Sequence, residues 1–242
     1  FVHRALPEVD ERTLDPGIEF LGRQVPYPFF ISCMTGGSER GFLANRELAR
    51  AAQATGLPVG MGSIRILFEH PELAPHFLLK ELAPDVPVLA NIGGVQVRDE
   101  SHALLFEWTK RLSVDALVVH LNPGQELFQP EGDRYFTGIE AAIGKLCEGS
   151  PVPVIVKETG FGISPATVRR LLKLGVAFVD LVGSGGIRMA AGAQEKRRIH
   201  YGDIAVLVRS RSEFSLLEPM FLAESIPYTF YRQPGLFQCR EA

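Results

Sequence analysis

Ala116-Leu117-Val118-Val119-His120-Leu121-Asn122-Pro123-Gly124-Gln125-Glu126 is an apolar run that turns polar at its end and then breaks. Ala116 to Val119 offer apolar side chains to both faces of an extended strand. Water can touch neither face of such a strand, so it belongs in a parallel sheet covered by helices. Residues two apart in a strand share a face, so His120 and Asn122 point the same way. Pro123 and Gly124 turn the chain and bring Gln125 and Glu126 over the same opening.

Working outward, similar short apolar runs recur at 29–32, 58–60, 86–91, 152–158 and 178–183, alternating with helical patterns at 44–54, 101–112, 138–147 and 165–174. Ser164 before Pro165 predicts an N-cap and a first helical residue, and Gly175 suits the helix end. Repeated βα units of this size fit either a closed barrel or a doubly wound sheet. Polar residues decide between them. Met34-Thr35-Gly36-Gly37, Ser63, Asn91, His120 to Asn122 and Lys157-Glu158 each end a strand. A ring of chemistry at successive strand C-termini belongs to a TIM barrel, whereas a doubly wound sheet binds at one switch point. The expected fold class is therefore α/β, a TIM (β/α)8-type barrel that is incomplete, with about six βα units.

Composition narrows the rest. The chain has 242 residues, 46% hydrophobic and 22% charged, enough for one large α/β domain or two small ones. A net charge of −3 gives no reason to expect a nucleic-acid or membrane partner. No apolar run approaches the roughly 20 residues of a membrane span, and no charged-then-apolar leader is evident. Phe1 in place of a Met points to a trimmed start. Cys33, Cys147 and Cys239 are far apart and odd in number, which argues against a zinc site or disulfides and for a reducing cytoplasm.

Several constellations can carry chemistry. His120, Asn122, Gln125 and Glu126 put a cation, two amides and a carboxylate on one rim, suited to a phosphorylated substrate with a divalent metal. The plainer alternative is a strand end whose His and Asn cap backbone groups. Met34-Thr35-Gly36-Gly37 lets a flat ring or phosphate approach the backbone, or is simply a tight βα turn. Arg65, after Gly62-Ser63-Ile64, can clamp a diphosphate. Lys157 ends a run that buries most of its side chain, so it needs an anionic partner. Gly183-Ser184-Gly185-Gly186 lacks the third glycine of a dinucleotide fingerprint.

In order and spacing these pieces resemble the FMN-dependent type 2 isopentenyl-diphosphate isomerases. Ala5-Leu6-Pro7-Glu8, Phe20-Leu21-Gly22-Arg23, Met34 to Gly37, Gly62 to Arg65, Ala90-Asn91, His120 to Glu126, Val156 to Glu158 and Gly183 to Gly186 carry the likeness. It implies interconversion of isopentenyl and dimethylallyl diphosphate, with reduced FMN, Mg2+ and NADPH as reductant. By the same resemblance Met34, Thr35, Gly36, Ser63, Asn91 and Lys157 would hold FMN. Ser63, Arg65, His120, Asn122 and Gln125 would hold the isoprenoid diphosphate, with Gln125 the catalytic residue near the reacting carbons and Glu126 on Mg2+. It admits a homo-oligomer and a cytoplasmic location.

The chain departs from that pattern in three places. The family's N-terminal Arg-Lys segment is absent. Val182 and Ile187 stand where small hydroxyl residues are expected, and the last quarter of the barrel is missing. The expected domains are therefore a partial barrel over 1–186 and a foreign α/β tail over 187–242. Within the tail, residues 198–242 resemble the C-terminal part of UvrD/Rep-type helicases, without a nucleotide-binding motif. Three alternatives stay open: an isomerase whose tail closes the barrel, a non-catalytic chimeric fragment, or another FMN-dependent barrel oxidoreductase. Nucleic acid is not expected, since the tail has no basic stripe interleaved with aromatics.

Overall fold

The computed structural model describes residues 10–128, 132–160, 162–180 and 189–190. Apart from residues 189–190, the expected tail lies outside the described residues, and so does the glycine run 183–186.

After a 3-10 turn at Glu11–Thr13 comes a hairpin, β1 (Ile18–Phe20) and β2 (Arg23–Val25), paired antiparallel with Phe20 opposite Arg23. Its two-residue turn, Leu21-Gly22, has positive φ at both positions (52° and 72°), the primed geometry that matches strand twist. Leu21 has no intrinsic preference for that region, but its side chain packs into the apolar cluster beneath the sheet.

Helix α1 (Glu39–Thr55) starts where Ser38 Oγ accepts from the Gly41 N–H at 3.1 Å, and it stops at Gly56 in a left-handed conformation. It buries Gly41, Asn45, Ala49 and Ala52, a stripe of helical period against the sheet. The βα units that follow are β3 (Val59–Ser63) with α2 (Ile66–Glu69), and β4 (Val88–Gly93) with α3 (Gly94–Asp99) and α4 (His102–Arg111). Next come β5 (Ala116–Leu121) with α5 (Pro123–Phe128) and α6 (Ile139–Gly149), then β6 (Val154–Glu158) with α7 (Pro165–Lys173), then β7 (Phe178–Asp180). The sheet runs β3-β4-β5-β6-β7 in parallel, and β8 (Met189–Ala190) lies antiparallel on β7.

The first expected strand, 29–32, is reduced to one bridge, Ile31 to Val59, held by Ile31 N–H to Pro58 O (2.8 Å) and Gly60 N–H to Ile31 O (2.7 Å). Pro26 and Pro28 just before it bring no N–H to a ladder.

Strand alternation divides the interior in two. Val88, Ala90, Ile92, Leu117, Val119, Val154, Val156 and Val179 face the helices in one large cluster. Leu89, Ala116, Val118, Ile155 and Phe178 face the other way, where they meet Phe20, Val25 and Cys33 in a second cluster. The hairpin therefore plugs the inner face of the curved sheet, with Phe20 edge-on to Phe178 at 5.2 Å.

Phe20 is fully buried, while Leu14 is exposed. Phe20→Ala should cost about 3–5 kcal/mol in urea unfolding, and Leu14→Ala less than about 0.5 kcal/mol. Equal effects would mean that the hairpin does not plug the sheet.

Candidate active site

The inner face carries its polar groups just beyond the plug. Register places Ser63, Asn91, Val118, Ile155 and Phe178 in one transverse row, and Gly93, His120, Lys157 and Asp180 in the next. Three titratable side chains thus share one face at the C-terminal ends of three adjacent strands. A Cβ on Gly93 would lie 2.1 Å from Gln96 Oε1 and 3.3 Å from the His120 Cε1, so the bare backbone there leaves room for both side chains.

Lys157 is only 5% exposed, and its ammonium donates to the Glu158 carbonyl at 2.9 Å. Glu158 faces the other side, where its Oε2 accepts from the N–H groups of Gly160 (2.6 Å) and Gly162 (2.8 Å). Asp180, 2% exposed, is the in-register neighbour of Lys157 and puts a buried carboxylate on the adjacent strand. Sequence analysis passed over Asp180. The signal was present: it lies two residues beyond the inward Phe178, on a strand next to that of Lys157.

His120 corrects an expectation. Its imidazole is not the cation expected on the rim. Burial above all, then the charge of Lys157, pulls its pKa to about 4; Glu126 pulls the other way and Arg65 adds to the depression. His120 Nδ1 lies 3.0 Å from Asn91 Oδ1.

Asn122 donates from Nδ2 to Glu126 Oε1 at 2.7 Å, and Glu126 Oε2 accepts from the Asp133 N–H at 3.0 Å. Helix α5 carries Gln125 on its backbone, but the Gln125 side chain lies outside the described residues. Among the described residues, no group of three or more His, Cys, Asp or Glu side chains converges to hold a metal. Glu126 offers a carboxylate held on both oxygens, by Asn122 and by the Asp133 N–H.

The 34–37 loop lies directly on β3. The Gly62 N–H donates to the Thr35 carbonyl, and a Cβ on Gly62 would come within 2.2 Å of that oxygen. Gly36 likewise faces the Phe77 ring, 2.9 Å from where its Cβ would be. The Thr35 hydroxyl donates to Asn45 Oδ1 of α1, whose amide returns a bond to the Thr35 carbonyl at 3.1 Å. Buried Asn45 thus sets the loop, a role not legible in sequence. Met34 is 78% exposed at the mouth. Ser63 Oγ accepts from the Arg65 N–H at 3.4 Å, and the Arg65 side chain is exposed. A separate cavity of about 350 Å³, lined by Arg98, His102, Gly138 and Lys145, lies away from this chemistry, beside α3 and α6.

With the geometry described, likeness to known proteins can be placed. No protein-family model matches the chain. It is 46% identical over 184 residues to an isopentenyl-diphosphate delta-isomerase of Borreliella afzelii, covering 76% of this chain and 52% of that one. A Synechococcus isopentenyl-diphosphate delta-isomerase is 46% identical over 187 residues, covering 77% and 54%. The chain spans about half the length of the curated relatives it matches. Among solved structures, a mandelate oxidase variant with (S)-mandelic acid has a TM-score of 0.51 at 16% identity, covering 74% of this chain and 53% of that chain. A lactate oxidase from Pediococcus acidilactici gives 0.50 at 15% identity, covering 73% and 52%. At that identity the likeness is one of fold, an α/β barrel type. These relatives lend nothing to the helicase likeness of residues 198–242.

The depressed imidazole sets a pH dependence. His120 stays neutral in the fold but protonates in the unfolded chain near 6.5. Its contribution to stability is present above 6.5 and is lost as pH falls towards about 4. Urea midpoints should drop across that window, and less steeply in His120→Gln. Parallel curves would show that the imidazole is not held neutral.

Proposed function

We propose that this chain carries the cofactor- and substrate-binding strands of an FMN-dependent isomerase that interconverts isopentenyl and dimethylallyl diphosphate. The observation that carries this is the 46% identity to isopentenyl-diphosphate delta-isomerases over three quarters of the chain. The polar row at the strand C-termini supports it, since barrel chemistry lives on that face.

The residues present fit a reduced flavin. Lys157 offers a buried ammonium that gains from an anionic ring edge, and Asn91 offers an amide in the adjoining row. The bare backbone at Gly36, with Thr35 beside it, lets a flat ring lie close to the chain. Met34 and Ser63 complete the cofactor's surroundings. When bound, reduced FMN would supply acid–base chemistry at its N5 edge and an anionic ring that favours a cationic transition state.

The chain's own groups would do the rest. Arg65 would clamp the diphosphate at the exposed rim, joined by Ser63, His120 and Asn122. Asn122 holds Glu126 in place through their 2.7 Å bond, and Glu126 would share Mg2+ with the diphosphate. Gln125 would stand nearest the reacting carbons. NADPH as reductant, a cytoplasmic setting and a homo-oligomer belong to the same proposal. Among the described residues no helix is long and apolar enough to cross a membrane. We place residues 1–186 in the partial barrel and keep 187–242 as a separate tail.

The deciding assay is FMN titration of the purified chain, followed by double-bond isomerisation with reduced FMN and Mg2+. Saturable binding with turnover is expected. Binding without turnover would leave a cofactor-binding fragment, and no binding would end the proposal. Lys157→Met should weaken FMN binding at least about tenfold, and since it leaves the neighbouring Asp180 carboxylate without its ammonium it should also lower the urea midpoint. FMN affinity is therefore read on the variant shown folded by circular dichroism, and unchanged affinity there would remove Lys157 from the cofactor site. Gln125→Asn should lower turnover and spare FMN affinity; unchanged turnover would remove Gln125 from the chemistry.

A further inference from the structure

Asn91 Oδ1 lies 3.0 Å from His120 Nδ1. A carbonyl oxygen only accepts, so this contact requires the proton to be on Nδ1.

The charges around His120 bear on a second proton. Lys157 in the same row and Arg65 at the rim oppose it, and Glu126 favours it. Asp180 lies one strand beyond Lys157 in that row. Among the described residues no protein group bonds Nε2.

We propose that Asn91 is a positioning residue that holds His120 as the neutral Nδ1–H tautomer, so that His120 meets its ligand through an accepting Nε2. A lone pair repels a bare phosphate oxygen and accepts from an O–H donor. The ligand atom at His120 is therefore an O–H, supplied by water on a divalent cation or by a protonated phosphate. That ligand class rests on the isomerase proposal; the tautomer does not.

The test is two-bond 1H–15N spectroscopy of the full chain labelled with 15N-histidine, across about pH 5–8, where an ordinary imidazole titrates. His120→Gln identifies the resonance. The expected pattern is a protonated Nδ1 and a bare Nε2, constant across the range. Asn91→Leu should move the proton to Nε2, whereas Asn91→Asp should keep Nδ1–H and raise the titration into the range. An Nε2–H or doubly protonated His120 in the wild type overturns the inference, as does an Asn91→Leu spectrum identical to it. FMN titration of the same samples separates the two proposals: a correct tautomer with no FMN binding sinks the isomerase reading alone.

Discussion

The buried ammonium of Lys157 is the constraint around which the inner face is arranged. An unpaired charge in such a place costs several kcal/mol, so its neighbours must answer it. The Glu158 carbonyl accepts one of its hydrogens, and Asp180 stands beside it in register. His120, on the other flank, is kept from becoming a second cation. Buried charges answered in this way give little net stability, because apolar residues would fill the same space at lower cost. Their placement fits the ligand-binding role proposed above.

The second determinant is the two-faced nature of a strand. Strands β4 to β7 carry a helix-facing set that is apolar apart from Glu158, and an inward set that changes from apolar to polar within two residues. Ile155 and Lys157 differ by one step along the inner face, and so do Phe178 and Asp180. The plug fills the lower level, leaving the upper level for ligands. Close glycine contacts finish the mouth: where Gly62 meets the 34–37 loop, any side chain would push the loop off the sheet.

Much of this was legible in the sequence, for reasons that can be named. The strands at 116–121 and 154–158 are apolar on both faces, and the N-caps Ser38 and Ser164 obey local chemistry; Ser164 was anticipated and accepts from Thr167 as expected. The mouth residues Asn91, His120, Asn122, Glu126 and Lys157 fall on the predicted face. The hairpin was not legible, because each strand is three residues long and its turn uses Leu-Gly where Asn-Gly would announce it. The charge of His120 was misjudged, since it depends on Lys157 and on burial, and both are set by register rather than by order along the chain. Asp180 and Asn45 were missed for the same reason: each matters through a partner distant in sequence.

The plug has a consequence for how the chain comes to be folded. Phe20 and Val25 leave the ribosome early, while Ile155 and Phe178, which they meet in the finished interior, arrive only after nearly the whole described length has been made. Until then an apolar hairpin too small to be stable by itself must wait without its partners. Its contacts are among the most non-local in the molecule, so closing them late is intrinsically slow. A chain made in this order is most vulnerable to self-association just before β6 and β7 emerge, and synthesis rate, rather than final stability, would then govern its yield.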